Sequence, residues 1–332
     1  MEYRLLGRTG LSVSKLCFGT MTFGGPADRS ESQAIYRRCR DAGINLFDCA
    51  NNYNAGRSEE ILGELIRDER DEVIISSKFT FRRRDGINNI GSSRRQAMLE
   101  VEGSLKRLGT DWIDIYFVHC FDPAVNMEET LRALEDLVRQ GKVLYIGVSN
   151  WAAWQIAKAL GRAWHYGWNP INVIQPMYSL LKRQAESELL PLAESEGIGV
   201  MSYSPLAGGM LTGKYLGRST IEQGRFADMP RYQLRYPEDA HREAIEGFLA
   251  YARKLEVDPV SLAIAWVSAN PAISSAIIGA RNRDQLSASL AAADLSINPD
   301  TYRELAALSK APAPATDRSE EVLDPSSRLR GE

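Results

Sequence analysis

Short apolar runs rich in β-branched residues alternate along this chain with longer stretches in which hydrophobic positions return every three or four residues. The first pattern predicts buried strands and the second predicts amphipathic helices. Strands are expected at Leu16 to Phe18, Ile44 to Asp48, Val73 to Ser77 and Ile113 to Val118, then at Val143 to Val148, Asn172 to Ile174, Gly199 to Ser202 and Ser275 to Ile278. Helices fill the intervals. Ser30 to Gln33 has capping-box spacing and opens one that stops before Gly43, and Ser58 is expected to cap another carrying an Ile61, Leu62, Leu65, Ile66 stripe. Ser93 to Gln96 starts a helix with Ala97, Val101, Leu105 and Leu108 on one face; Leu131, Leu134 and Val138 mark the next, which Gly141 ends. A tryptophan-bearing helix follows Asn150, another covers Leu189 to Glu196, and Asp258-Pro259 has the N-cap and first-turn signature of a last one.

Eight strands, each followed by a helix, predict a parallel sheet closed as a (β/α)8 TIM barrel rather than an open doubly wound one. Ahead of it, Tyr3 to Ser14 reads as a β-hairpin turning at Arg8-Thr9-Gly10, placed to plug or cap the barrel. A long irregular section is expected from Ala207 to about Ala240 on the carboxyl-end face. Residues 1–310 are expected to form a single domain, and 311–332, rich in Ala, Pro, Ser and acidic residues, a surface-running or disordered tail.

Composition narrows the function classes. Hydrophobic residues make up 44% of the 332 and charged ones 25%, a globular balance, and a net charge of −3 offers no basic field for nucleic acid or an anionic membrane. Arg82, Arg83 and Arg84 form the one tight basic run, for which a solvated loop is the expected setting. The four cysteines, Cys17, Cys39, Cys49 and Cys120, show no CxxC pairing, and Met1 leads straight into charged and polar residues without a signal-like segment. Both facts predict a reduced cytoplasmic setting. The most apolar long window, Ala263 to Ala280, is interrupted by polar residues and Pro271, which argues against a membrane span. No His and Cys cluster has metal-ligand spacing.

The chemistry collects where the strands end. Asp48, Lys78, His119, Ser149, Asn150, Gln175, Tyr203 and Gly279 all fall at predicted strand carboxyl ends, with Tyr53 five residues beyond Asp48. In a barrel these positions share the face on which such folds keep their active sites. Each has a purely structural use as well: Asp48 and Tyr53 as a loop hydrogen bond, Lys78 as the counter-ion of a buried Asp48, His119 as a donor to a backbone carbonyl. Together they match proton delivery to a carbonyl oxygen as hydride reaches its carbon. A phenol holds its proton firmly near neutral pH, and Lys78 beside Tyr53 is expected to bring it toward a useful range. Asp48 would fix Lys78, and His119 would orient the carbonyl and hydrogen-bond the developing alkoxide. None of these groups supplies a hydride, so a cofactor is required.

AGINLFDCANNYNAGRSEEILG, SSKF, IDIYFVHC, GKVLYIGVSN and YSPLAGGMLTGKY, in this order, resemble the aldo-keto reductase superfamily, over Tyr3 to about Ala292. The similarity is closer to its bacterial NADPH-dependent oxidoreductases and potassium-channel β subunits than to the mammalian aldose-reductase branch. The resemblance implies a barrel that binds NADPH, with NADH as a weaker alternative, in extended form at the carboxyl-end rim. It implies a tetrad with Tyr53 as general acid supported by Asp48, Lys78 and His119, reducing aldehydes or ketones reversibly. It further implies that Ser149, Asn150 and Gln175 bind the carboxamide, Tyr203 stacks on the nicotinamide, and Gly19, Thr20 and Met21 line its far side. Ser204, Pro205, Leu206, Gly208, Lys214 and Arg225 would hold the pyrophosphate, and Gly279, Arg281 and Gln285 the adenosine end, where a guanidinium suits a 2′-phosphate. The channel-subunit branch carries Glu-Asn where this chain has Ala288 and Ser289, so the adenine contacts depart from that pattern.

Two other nucleotide signatures fail on inspection. No GxGxxG follows a strand, and Gly208 to Lys214 reads GxxxxGK but continues with Tyr215, where a P-loop needs a magnesium-binding hydroxyl. The second function implied by the resemblance is a NADPH-binding, redox-sensing regulatory subunit with slow turnover, against which His119 weighs, since that branch replaces it. A small-molecule carbonyl is the expected partner, with Phe23, Phe81, Phe121, Trp151 and the section Thr220 to Tyr236 as candidate walls or plain packing. The sequence specifies no oligomeric state.

Overall fold

The computed structural model describes residues 1–217, 225–229, 231–237 and 240–317. Eight parallel strands close a barrel: β3 (Leu16–Gly19), β4 (Leu46–Asp48), β5 (Ile74–Phe79), β6 (Ile113–Val118), β7 (Val143–Ser149), β8 (Ile171–Gln175), β9 (Gly199–Ser202) and β10 (Ser275–Ile278), the last pairing with the first. Ahead of them β1 (Tyr3–Leu5) and β2 (Ser12–Ser14) make the antiparallel hairpin. Its loop drops Leu6, fully buried, against Val13, Cys17, Leu46, Ile115, Phe117, Val173, Met201 and Ile277 in a small apolar cluster separate from the main core. The predicted plug is therefore real, and it fills the amino-terminal part of the barrel interior with hydrocarbon.

The helices α1 (Arg29–Asp41), α2 (Arg57–Ile66), α3 (Arg94–Leu108), α4 (Met127–Arg139), α5 (Ala153–Tyr166) and α6 (Leu189–Glu196) follow β3 to β8 in turn. Beyond β9 the chain forms short α7 (Arg225–Asp228) and α8 (Arg231–Arg235), then α9 (Arg242–Lys254) and α10 (Pro259–Ala269); α11 (Arg283–Ala291) and α12 (Pro299–Ala307) come after β10. The section from 207 to 240 is thus less irregular than expected, although 218–224, 230 and 238–239 lie outside the described residues, as does 318–332 of the tail. None of the described helices is long and apolar enough to cross a membrane.

Two helix starts differ from the sequence reading. Asp28, not Ser30, caps α1, its side chain accepting from the Glu31 amide at 2.8 Å. Gly56 caps α2, and Ser58 sits inside the helix with its hydroxyl donating to the Thr20 carbonyl at 2.7 Å. In both cases the local signal was present but a residue further upstream was better placed to end the preceding loop. Ser93 and Asp258 do cap as expected, accepting from the Gln96 and Val260 amides.

One close approach sets the floor of the site. A Cβ on Gly147, in the middle of β7, would stand 2.4 Å from the Phe117 ring, its register partner on β6. The missing side chain gives that ring its place, 5.9 Å below the Lys78 ammonium. Any larger residue at 147 would push aromatic bulk upward into the polar half of the barrel.

Candidate active site

Strand alternation explains why three side chains of one short run serve different ends. Ser76 and Lys78, two apart on β5, both turn into the barrel, whereas Ser77 between them turns outward to Glu59 of α2, its hydroxyl 2.5 Å from that carboxylate. Lys78 is fully buried. Its ammonium donates to both Asp48 oxygens at 2.7 and 2.6 Å and to the Cys49 carbonyl at 2.7 Å, with the Tyr53 hydroxyl at 3.5 Å. Asp48 accepts in addition from the Ser76 hydroxyl at 2.6 Å and the Gln175 amide at 2.8 Å. The buried pair therefore has its remaining lone pairs and protons satisfied, the condition under which such a pair is tolerated. Burial pulls the ammonium of Lys78 down, and Asp48 with Tyr53 outweighs it, so Lys78 holds its proton more firmly than in water.

Tyr53 begins a turn five residues after the end of β4. Asn54 and Ala55 adopt left-handed backbone, with φ of 48° and 60°, and the Asn54 amide donates to the Met21 and Phe23 carbonyls at 3.0 and 2.7 Å. The phenol is half-buried over the Lys78 ammonium, which lies 5.2 Å from the ring centre. Contrary to the expectation drawn from Lys78 alone, its acidity is weakened: burial pushes the phenol up, Lys78 pulls it down, Asp48 pushes it up again, and the result is about 12. The proton is held, not loosened, because the dry setting penalises a phenolate more than one ammonium already shared with a carboxylate can compensate.

His119, directly beyond β6, presents its ring edge-on to Tyr53 with centroids 6.2 Å apart. Phe81 packs against the other side of the imidazole at 4.6 Å. The four groups separated in sequence by up to 71 positions, Asp48 to His119, thus meet at one end of the barrel. Ser76, which donates to Asp48, was missed in the sequence reading, although its two-residue offset from Lys78 was a usable signal.

Further round the rim, the Tyr203 hydroxyl donates to Asn150 Oδ1 at 2.7 Å, and the Asn150 amide donates to the Ser149 hydroxyl and the His119 carbonyl, both at 3.0 Å. The Ser149 hydroxyl donates to the Gln175 carbonyl at 2.9 Å, so Ser149, Asn150, Gln175 and Tyr203 form one hydrogen-bonded arc joined to Asp48. Thr20 is fully buried and spends its hydroxyl on the Asp48 carbonyl at 3.0 Å, while Gly19 and Met21 remain partly accessible. Pro205 is buried, Leu206 and Gly208 are half-buried, and Lys214 is exposed at the end of that turn. Gly279 is exposed just past β10, and Gln285 accepts from the Arg281 amide at 3.1 Å, closing the start of α11. Ser289 is buried and Ala288 half-buried. Arg225 opens α7, but its side chain lies outside the described residues.

Backbone strain is concentrated on this face. Of the seven described non-glycine residues with positive φ, six (Asn54, Ala55, Thr80, Asn150, Ser204 and Ala207) belong to loops after strands β4, β5, β7 and β9. Such strain persists where surrounding structure holds a site in place. Beside this arc of amide and hydroxyl groups, the chain after β9 carries an exposed ammonium at 214 and the chain after β10 a half-buried guanidinium at 281. That donor set fits an extended dinucleotide carrying a carboxamide at one end and phosphates along its length.

Of the candidate wall residues, Phe23 is fully buried against Phe18 and belongs to the core. Phe121 meets Trp151 edge-on at 5.1 Å, and Trp151 lines a cavity of about 190 Å3 with Asn150, Gln175, Met177 and Lys182. Tyr232, Tyr236, Phe226 and Tyr215 pack together as a buried aromatic group.

The family model for the aldo/keto reductases matches residues 15–310. A probable voltage-gated potassium channel subunit beta of Oryza sativa subsp. japonica is 39% identical over 302 residues, covering 89% of this chain and 92% of that one. An uncharacterized oxidoreductase of Bacillus subtilis, YrpG, is 38% identical over 317 residues, covering 92% and 95%. The L-glyceraldehyde 3-phosphate reductase of Escherichia coli K12 is 33% identical over 299 residues, 86% of each chain. A closed eight-stranded barrel, a buried Asp48–Lys78 pair beneath a tyrosine, and a family match that spans all eight barrel strands make this chain a member of the aldo/keto reductase family.

Proposed function

We propose that the protein is an NADPH-dependent oxidoreductase that reduces aldehydes or ketones to alcohols, with Tyr53 as the proton donor. The observation that carries this reading is the Lys78 ammonium, bound to Asp48 at 2.6 Å and facing the Tyr53 hydroxyl at 3.5 Å, with the His119 ring on the phenol's other side. A bound NADPH supplies the hydride. The chain's own part is the proton and the geometry. A carbonyl oxygen seated between Tyr53 and His119 receives the phenolic proton as negative charge develops on it, and the adjacent ammonium stabilises the phenolate left behind. Asp48, held by Ser76 and Gln175, keeps that ammonium aimed. A phenol near 12 suits this role, since it stays protonated until the oxygen it faces has become strongly basic.

Ser149, Asn150 and Gln175 would bind the carboxamide, Tyr203 would stack on the nicotinamide, and Gly19, Thr20 and Met21 would flank it, Thr20 through its backbone. Ser204 to Gly208 with Lys214 and Arg225 would hold the pyrophosphate. Gly279, Arg281 and Gln285 would take the adenosine end, Arg281 favouring a 2′-phosphate. Similarity to a named reductase and a named oxidoreductase supports this class of reaction. The test is the decrease of nicotinamide absorbance when the purified protein is offered NADPH or NADH with a panel of aliphatic and aromatic carbonyls. Turnover with NADPH is expected; tight cofactor binding with no turnover on any carbonyl would favour a regulatory subunit instead.

A further inference from the structure

The basic run at 82–84 is not simply solvated. Arg82 and Arg84 are exposed, but Arg83 turns inward and its Nε donates to Glu100 Oε2 at 3.2 Å. Glu100, on α3, is 1% exposed, and the same oxygen accepts from the Asn51 amide at 2.9 Å. Asn51 is fully buried two residues before Tyr53, and its own amide nitrogen is tied to the Lys78 carbonyl at 3.1 Å.

The guanidinium stem also reaches the other end of the Tyr53 turn. Gly56, at φ of 99°, closes that turn onto α2, and a Cβ there would meet Arg107 Cδ at 2.9 Å and Arg83 Cδ at 3.6 Å. Arg107 in turn is bound to the fully buried Glu59 at 2.7 Å. Arg83 therefore lies across the turn from its Asn51 end to its Gly56 end. Two residues earlier on the same loop, Phe81 leans on the His119 ring. The loop itself is closed at its base, where the Gly91 amide donates to the Thr80 carbonyl at 2.8 Å, and Ser92 is held by Asp122 at 2.9 Å. Such a loop moves as a compact body about its base unless something fixes its face.

We propose that Arg83 is a positioning residue: through Glu100 it fastens the Thr80–Gly91 loop onto the Asn51–Gly56 turn, so that Phe81 on His119 and the hydroxyl of Tyr53 are held at a fixed separation across the carbonyl site. One carboxylate oxygen thereby anchors both walls of the cleft, and the loop residue facing the substrate cannot shift without loading the turn that carries the proton donor. The idea deepens the reductase reading and rests on it for its kinetic part. It makes the substituents on the carbonyl, more than the cofactor, sensitive to this pair, because the clamp reaches the Ser149, Asn150, Gln175 and Tyr203 arc only at one remove, through the His119 carbonyl that accepts from Asn150.

Arg83→Met removes the charge and keeps the stem; Arg83→Lys restores a cation; Glu100→Gln keeps an acceptor for Asn51 and removes the counter-charge. Three readouts are compared with wild type: tryptic cleavage at Arg82 and Arg84, the alkaline absorbance step of Tyr53 isolated by difference from Tyr53→Phe, and kcat for a bulky ketone beside NADPH affinity. For Arg83→Met and Glu100→Gln the expected result is faster cleavage, a Tyr53 step moved toward that of an ordinary phenol, and kcat reduced by about tenfold, at unchanged NADPH affinity. Arg83→Lys is expected to recover most of each. Wild-type cleavage and an unmoved Tyr53 step in Arg83→Met would overturn the proposal, as would faster cleavage with unchanged kcat. A wild-type protein inactive toward every carbonyl would defeat the reductase reading alone, since cleavage and the Tyr53 step still decide the clamp.

Discussion

The two ends of the barrel interior are filled with opposite materials. At the amino end Leu6 of the hairpin, Cys17, Leu46, Ile115, Val173 and Met201 pack as one apolar cluster. At the carboxyl end strands β4, β5 and β8 contribute Asp48, Ser76, Lys78 and Gln175, all buried, with the last three bound to Asp48. The apolar end stabilises the fold by excluding water. The polar end is a weak source of stability, because the desolvation of a buried carboxylate and ammonium consumes most of their mutual attraction. It keeps instead the proposed proton donor and its supporting charge in a fixed place. Stability and chemistry are thus divided along the barrel axis, with Phe117 as the partition between them.

The division is tested first at its functional extreme. Tyr53→Phe is expected to lower kcat for carbonyl reduction by about 10²–10⁴-fold, the usual range for a positioned acid, with cofactor affinity retained. Its thermal midpoint should barely change, since the hydroxyl's contact with Lys78 is a long one at 3.5 Å. Full turnover in that variant would assign the proton to another group.

Lys78→Met should damage both properties, because it leaves Asp48 charged and buried: an activity loss together with a denaturant-measured destabilisation of about 3–5 kcal/mol. Adding Asp48→Leu should recover much of that stability while leaving the protein inactive. A double variant no more stable than the single one would mean that the polar end supports the fold after all. At the other end Leu6→Ala should cost about 2–5 kcal/mol by opening a cavity in the plug, with kcat at 25 °C within about twofold of wild type. A large kcat loss there would show that the two ends communicate.

The smallest expected effect is on the pH profile. If Tyr53 is the acid, as proposed, its protonated form is the active one, and burial raises its folded value to about 12. The rate of reduction should therefore stay level with rising pH through the ordinary phenol range near 10 and fall only as pH approaches about 12. A decline centred below about 9 would mean that Lys78 dominates over burial.

Alternating runs and helical stripes were enough to reveal the barrel, because the barrel strands are largely buried on both faces and helices such as α3 and α4 carry one apolar side. Asp48, Lys78 and His119 were legible for a related reason: the end of a strand is a place in space as well as in sequence. What escaped was everything set by depth or by distant partners. The effect of Lys78 on Tyr53 could be given a direction, but burial of the phenol, which decides the sign, exists only once the loop is folded. Arg83 resembled its two solvated neighbours until Glu100, seventeen positions further on, was seen to turn it inward. Ser58 had the chemistry of a helix cap, yet Gly56 already supplied the left-handed bend, freeing the hydroxyl for Thr20.

The pairing of β10 with β3 has a consequence for how the protein is made. A nascent chain that has emerged from the ribosome as far as His119 already contains every group proposed to handle the proton, but the sheet they stand on still has an open flank at β3. That flank waits for Ser275–Ile278, more than 150 residues later in synthesis, before it is covered. Until then it is a strand edge able to recruit a neighbouring polysome's product, so cells translating this message at high rate would depend on chaperones that shield amino-terminal fragments.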